Sequence, residues 1–383
     1  MTDLENILPL WRELEAAGAD YVLATIVAVD GPSYRKPGAR MLLAGDGRRA
    51  GTVSGGCLEA EVARRAWWLT ESGPTVERYS TVPDDGDMPY GSGCGGVVYI
   101  LLERRATAVS LLTALEAAFR ARVALAIATV LEGPQIGSRA FSGLSKEHTE
   151  ELKGNPGHRR ASELHELAKL AYTRKQSLDR NAHLDGVSTH VWVDFRPARP
   201  GLWIFGAGDD ARPVLRLARG LGWFVAVCDG RAHLATSERF QEADQVHVLT
   251  SELPGPVPAC LDLRPTDAAI VMTHSFEQDS RVLAMLLRDT ASPSLGYLGV
   301  LGPQRRTRDM LAEAARLNHH QRPEEQADQW LAELHAPTGL DLGAETPATI
   351  ALSILAEIQR VMTGGTALSL REVRAAKAQV IQR

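Results

Sequence analysis

The chain has 383 residues, a formal net charge of -5 and 44% hydrophobic residues, enough for two or three cores of ordinary size. That charge, with no long Lys/Arg stripe, excludes a nucleic-acid footprint. Four cysteines in the whole chain exclude a disulfide framework and fit a reducing compartment, so a cytoplasmic protein is expected.

The opening "MTDLENILPLWRELEAAG" is acidic and carries Leu4, Ile7, Leu8, Leu10, Trp11 and Leu14 at helical spacing. It has no basic n-region and no apolar core, so no secretory leader is read. "YVLATIVAVD", "ARMLLAG", "TVERYST" and "GGVVYILLE" read as strands between Gly, Pro and Asp turns, with "LEAEVARRAWWLT" as a helix among them. The longest apolar runs, "YVLATIVAV" and "VALAIATVL", reach about half a membrane span.

"AVSLLTALEAAFRA" then reads as a helix and "VALAIATV" as a strand. "ATVLEGPQIGSRAFSG" echoes "ATIVAVDGPSYRKPGA", and both a degenerate internal repeat and chance similarity stand as explanations. Residues 141–186 are polar and helical in part, around "ASELHELAKLAYTRK"; "THVWVDF" is a further strand, and the prolines of "RPARPG" stiffen a boundary near residue 199. The expectation is an N-terminal mixed α+β domain over 1–199, with a core over about 1–130 and a variable segment over about 141–186.

Beyond that boundary "GLWIFGAG", "WFVAVCD", "DQVHVLT", "AAIVMTH" and "LGYLGVLG" alternate with helices such as "DARPVLRLARGLG" and "DSRVLAMLLRD". Near-continuous apolar strands alternating with amphipathic helices predict a Rossmann-type, doubly wound parallel sheet over 200–383, an α/β unit closed by the helix "PATIALSILAEIQRVM".

Two constellations carry chemistry. Gly206-Ala207-Gly208-Asp209-Asp210-Ala211 follows a strand and opens a helix, where glycines admit a phosphate close to the backbone and the helix start offers unpaired N–H groups. Asp229 ends the next strand, where a ribose-binding acid is expected. Arg231 would suit a 2′-phosphate, so NAD and NADP stay open as ligands. Asp209 and Asp210 put two carboxylates where phosphate charge would sit, to repel it or to hold a cation against it. Thr273 and His274, with Asp279, and Gly299 and Gly302, with Arg305 and Arg306, are expected on the same strand rims; His274 is the candidate acid, base or phosphate donor. A glycine turn that only lets strand and helix pack is the plainer reading.

The other constellation is Cys57 in "VSGGCLE" and Cys94 in "GSGCGG". Gly55, Gly56 and Gly95 leave both sulfurs open to a ligand. A helix start lowers a thiol pKa, whereas Glu59 and Glu61 oppose a thiolate beside them. No CxxC spacing accompanies either cysteine, which argues against structural zinc, and two inert small hydrophobes remain the alternative. Cys228 and Cys260 are expected to be inert in apolar, strand-like settings.

"DGPSYRKPGARMLL", "GTVSGGCLEAEV", "GCGGVVYILLE", "LWIFGAGDDARPVLRLARGLGWFVAVCDGR", "VMTHSFEQD", "YLGVLGPQRR" and "PTGLDLGAETPATIALSILAEI", in this order, resemble the xanthine dehydrogenase accessory (XdhC/CoxI) family. The resemblance implies a cytoplasmic, usually dimeric factor that binds molybdenum cofactor, in its molybdopterin or dinucleotide form. It would support the sulfuration of that cofactor, with cysteine desulfurase as a partner, and deliver it to a molybdenum hydroxylase such as xanthine dehydrogenase. Carried onto this chain, Cys57 and Cys94 become the sulfur-handling or molybdenum-contacting thiols, and the Rossmann crevice holds the phosphate end. A chaperone without turnover is thus set against an NAD(P)-dependent oxidoreductase built on Gly206, Gly208, Asp229 and His274; no Tyr-x-x-x-Lys motif supports the latter.

Overall fold

The structure, a computed structural model, describes residues 2–56, 58–80, 82, 95–145, 162–184, 186–249, 256–288 and 295–374. The chain divides into two compact units, Met1–Arg199 and Pro200–Arg383.

In the first unit α1 (Thr2–Ala16) precedes β1 (Tyr21–Asp30), β2 (Arg40–Ala44), β3 (Arg49–Gly51), α2 (Glu59–Leu69), β4 (Thr75–Ser80) and β5 (Val97–Arg104). These strands form an antiparallel sheet in the order β3-β2-β1-β5-β4. After α3 (Arg105–Ala121) come β6 (Leu125–Val130), β7 (Arg139–Ser142), α4 (Ser162–Arg174), β8 (Leu178–Leu184) and β9 (Val187–Arg196), forming a second antiparallel sheet, β7-β6-β9-β8.

The two halves repeat one plan. Hairpin β1–β2, helix α2 and strands β4 and β5 correspond to hairpin β6–β7, helix α4 and strands β8 and β9, and the sheet orders β2-β1-β5-β4 and β7-β6-β9-β8 coincide. The register coincides too: Thr25 pairs with Arg40 and Leu23 with Glu103 in one half, Thr129 with Arg139 and Ile127 with Asp194 in the other. The echo between "ATIVAVDGPSYRKPGA" and "ATVLEGPQIGSRAFSG" is therefore a structural repeat.

Each sheet is covered on its outer face by its own helix. Val22, Ala24 and Ile26 pack under Val62 and Ala66 of α2, and Ala126, Ala128 and Val130 under Leu164, Ala168 and Ala171 of α4. The inner faces meet through Val27, Leu101, Leu131 and Trp192. Burial on both faces is why β1 reads as an unbroken apolar run, and each fully buried aliphatic side chain contributes about 1.5–3 kcal/mol.

Within the segment expected to be variable, about 141–186, the described residues Ser162–Arg174 and Leu178–Leu184 form α4 and β8 and pack into this core. The sequence hid β8 because "LDRNAHL" is an edge strand with only Leu178, Ala182 and Leu184 buried. β7, at four residues, is too short to express a period of its own.

The second unit runs β10 (Gly201–Phe205), α5 (Ala211–Gly220), β11 (Phe224–Asp229), β12 (Gln245–Val248), β13 (Ala268–Val271), α6 (Phe276–Leu286), β14 (Tyr297–Val300), α7 (Gln304–Leu317), α8 (Pro323–Glu333) and α9 (Pro347–Thr363). Its five strands are all parallel in the order β12-β11-β10-β13-β14, with the chain reversing direction across the sheet after β12. α5 and α9 cover one face through Val214, Leu215, Ile354 and Ile358; α6, α7 and α8 cover the other through Val282, Met310 and Trp330. The expected Rossmann-type α/β unit is present. Cys228 is buried in β11, where burial pushes its thiol pKa far up. Cys260 departs from expectation: it lies exposed in a turn between strands rather than in an apolar strand. No described helix is long and apolar enough to cross a membrane.

Candidate functional site

The loop after β10 sits at the carboxyl edge of the parallel sheet. Gly206 has φ +144, and a Cβ there would stand 2.5 Å from the Met272 carbonyl oxygen, so only glycine fits between β10 and β13. Its N–H donates to the Cys228 carbonyl (2.8 Å). The backbone N–H groups of Gly208, Asp209 and Asp210 make no hydrogen bond among the described residues. They are the free donors at the start of α5 that an anion could use.

Asp229 is placed otherwise than a free ribose acceptor. It is fully buried. Its Oδ2 accepts from the N–H of Ala207 (2.7 Å) and from Arg231 Nη2 (2.7 Å). Its Oδ1 accepts from the Arg231 N–H (2.8 Å), Arg231 Nε (2.9 Å) and Gln278 Nε2 (3.2 Å). Burial alone would raise its pKa, but these donors outweigh burial and hold it below the ordinary carboxylate value. Asp229 thus clamps the glycine loop to β11, and a ribose diol reaching it must first displace Arg231.

The two aspartates of the loop are also paired. Asp210 Oδ2 meets His274 Nε2 at 2.7 Å, and Asp209 Oδ1 accepts from Arg239 Nη2 at 2.9 Å. His274 has φ +64, a strained backbone for a residue with a Cβ, on the loop after β13, and its side chain is 64% exposed. Thr273 donates from N–H (3.1 Å) and hydroxyl (2.5 Å) to buried Asp279, whose other oxygen accepts from Arg306 Nη2 (2.8 Å). Gly302, φ +127, lies beside Arg306. Gly206, Gly208, Asp209, Asp210, Asp229, Arg231, Thr273, His274 and Gly302 are therefore gathered on this rim. Gly299 is not: a Cβ there would meet Thr338 Oγ1 at 2.6 Å, because the chain at His335–Thr338 lies over it. Arg239 and Gln278 have no role in the sequence reading, although Gln278 stands inside "VMTHSFEQD", because their partners Asp209 and Asp229 are brought to them by folding.

In the first unit, Cys57 and Cys94 lie outside the described residues, but their neighbours do not. Glu59, the first residue of α2, folds its buried carboxylate back onto the preceding turn. Its Oε1 accepts from the N–H groups of Val53 (3.2 Å) and Ser54 (2.7 Å), and its Oε2 from the Gly56 N–H (3.1 Å) and the Ser54 hydroxyl. Ser54 Oγ accepts in turn from the N–H of Leu58 (3.0 Å). Burial pushes the Glu59 pKa up, and the Ser54 and backbone donors more than reverse it, so the carboxylate stays ionised. Glu61 is neutralised by Arg64, at 2.5 Å.

Gly56 has φ +114, and a Cβ on Gly55 would touch the Tyr34 ring at 3.6 Å. Gly95 has φ +63, its carbonyl oxygen lies 3.6 Å from a Cβ built on Gly31, and a Cβ on Gly96 would overlap the Pro32 carbonyl. The glycines beside both cysteines thus pack on the single loop Gly31–Tyr34. Among the described residues no group of three or more His, Cys, Asp or Glu could hold a metal ion. In the second unit, the free amides of Gly208, Asp209 and Asp210 suit a phosphate.

Comparison with known proteins adds relatives. Residues 202–358 match the family described as XdhC Rossmann domain, and residues 14–80 the XdhC and CoxI family. The chain is 30% identical over 345 residues to a probable xanthine dehydrogenase subunit of Bacillus subtilis, covering 88% of this chain and 92% of that one. It is 34% identical over 122 residues to the molybdenum cofactor insertion chaperone PaoD of Escherichia coli, but only 30% of this chain and 35% of that one align. A crystal structure described as a xanthine dehydrogenase from Bacillus halodurans superposes with a TM-score of 0.66 at 26% identity, covering 96% of this chain and 98% of that one.

Proposed function

As the chain belongs to the XdhC and CoxI family, we propose that it is an accessory factor for molybdenum enzymes, binding molybdenum cofactor and passing it to a xanthine dehydrogenase-type hydroxylase. The kinship to a molybdenum cofactor insertion chaperone supports this role. The observation that carries the cofactor reading is the packing of Gly55, Gly95 and Gly96, neighbours of both cysteines, on the loop Gly31–Tyr34.

In this reading Cys57 and Cys94 are the thiols that take the molybdenum, which prefers soft sulfur donors. Gly55, Gly56 and Gly95 add no side chain beside them, and the Glu59 carboxylate fixes the turn 53–56. Independently, in the second unit, the amides of Gly208, Asp209 and Asp210 offer donors to a phosphate, while Asp229, through Arg231 and Ala207, keeps that loop in shape. When bound, the cofactor supplies the molybdenum and the pterin that the client enzyme uses. Support of sulfuration, with cysteine desulfurase as sulfur donor, and a homodimeric assembly complete the reading.

The test is a titration of the whole protein with molybdenum cofactor, beside Cys57→Ser and Cys94→Ser. Binding weakened about tenfold or more in either variant is expected; equal binding in all three removes the thiols from the role. Substrate-dependent loss of NADH absorbance by the purified protein would instead establish hydride transfer.

A further inference from the structure

The repeated halves of the first unit place a buried ion pair at equivalent positions, exchanged between them. Arg139, on β7, donates through Nη2 to both oxygens of Glu103 on β5 (2.7 and 2.8 Å). Arg40, on β2, donates through Nη2 to Asp194 Oδ2 on β9 (2.9 Å). Two residues beyond each acid stands a second arginine, Arg105 or Arg196, and here the halves differ. Arg105 has its own carboxylate, Glu15 (2.8 and 3.1 Å). Arg196 has no carboxylate other than Asp194 among the described residues: its Nε donates to the same Asp194 Oδ2 that Arg40 uses (2.8 Å), and its Nη2 to the Gly38 carbonyl that Arg40 also uses.

Two guanidiniums therefore lean on one carboxylate oxygen, with Arg40 and Asp194 each only 4% exposed at the side chain. Neighbouring carboxylates do not redress this, because Glu5 is paired with Arg199 (3.0 Å) and Asp3 with Arg35. Arg40 Nε is buried and has no hydrogen-bond partner. Burial, followed by repulsion from Arg196, pushes the Arg40 pKa down to about 10. Arg40 is buried and Arg196 is 27% exposed at the side chain, so water screens the surplus charge only on the Arg196 side, and such a site favours an added anion.

A cavity of about 40 Å³ lies against these groups, with Arg40, Arg196, Arg199 and Gly38 on its polar side together with Asp3, whose carboxylate is already taken by Arg35, and with aliphatic side chains such as Ala118 and Leu125 on its apolar side. That is room for roughly three waters, the size class of a small oxyanion. We propose that this cavity binds a small oxyanion, of the size of inorganic phosphate, between Arg40 and Arg196, where the other half of the repeat has Glu15. The anion neutralises the surplus guanidinium and braces β2 against β9. The site draws on neither the cysteines nor the Rossmann loop, so it stands whether or not the cofactor reading holds.

The probe is inorganic phosphate at constant ionic strength, balanced with gluconate, an anion too large for the cavity. Melting of the whole protein should rise saturably by roughly 3 °C, and the 31P line of phosphate should broaden in its presence. Arg196→Gln, which leaves Arg40 and Asp194 in a one-to-one pair, should diminish both responses. Ala118→Met, which fills the cavity and keeps both arginines, should diminish them too and serves if Arg196→Gln fails to fold. Arg231→Gln disturbs the loop after β10 in the second unit and should leave in place the part of the response that Arg196→Gln and Ala118→Met remove. Absence of any response in the parent, or an undiminished response in either folded cavity variant, overturns the proposal, as does a response lost only in Arg231→Gln.

Discussion

Asp229 shows how one buried side chain can organise a ligand loop. All five of its hydrogen-bond donors come from within the second unit, so Asp229→Asn should leave Arg231 without its anion and lower stability by about 2 kcal/mol, discounted for the partial exposure of Arg231. The urea midpoint at pH 7 measures it. Because the folded-state pKa is depressed, the stabilisation is complete above the unfolded carboxylate value of about 4 and is lost as pH falls from there through the lowered folded value. Acid unfolding of Asp229→Asn should accordingly be shallower below about pH 5 than that of the parent; parallel curves would contradict this. At Gly206, alanine meets both φ +144 and the Met272 carbonyl oxygen, so Gly206→Ala should cost roughly 2–4 kcal/mol, read from the same urea transition.

At the scale of elements, α2 owes its start to Glu59 rather than to the residue before it, since Leu58 provides no side-chain cap. The carboxylate gathers the turn 53–56 by charge-assisted hydrogen bonds. Glu59→Gln keeps the shape but forfeits the charge, and a loss of about 1–2 kcal/mol with faster amide exchange at Ser54 and Gly56 is expected. Unchanged exchange at those two amides would show the turn to be held otherwise. α9 begins with a capping box between Thr346 and Thr349, Pro347 at its first position, and it ends on Gly364 at φ +69. Its boundaries were plain in the sequence because capping residues act locally. α7 and α8 were not foreseen, because "QRRTRDMLAEAARL" reads as a charged, solvated stretch until its Met310, Leu311, Ala314 and Ala315 are seen to turn inward.

For the molecule as a whole, the repeat in the first unit is the least expected feature. It predicts an asymmetry: Glu103→Gln strands one buried guanidinium, Arg139, whereas Asp194→Asn strands two that share it, the buried Arg40 and the partly exposed Arg196. Both should destabilise by about 3–5 kcal/mol, with Asp194→Asn the worse and the more improved by added phosphate. Equilibrium unfolding of the two variants with and without phosphate decides this, and equal losses would contradict it. In the second unit the ion pairs Asp229–Arg231, Asp279–Arg306 and Asp209–Arg239 leave little unpaired charge on the rim. The backbone amides at the start of α5 are then the main free donors to a phosphate.

The sequence by itself determined the parallel sheet of the second unit, its glycine loop and the family, because strand periodicity, a glycine turn and capping residues express themselves within a few neighbouring positions. It also held the repeat of the first unit, but as a faint echo that chance could equally have produced, and the equivalence of Arg40 with Arg139 appears only in the strand register. Only the tertiary structure decided that these arginines exchange their acids between two sheets, that Asp229 is occupied by Arg231, and that the flanks of two distant cysteines meet on one loop. Arg40 and Asp194 stand 154 positions apart and Gln278 and Asp229 49, and hydrogen-bond partners at such separations are chosen by packing, which no local pattern encodes; even the neighbouring Asp229 and Arg231 could be known as partners only once their side chains were placed.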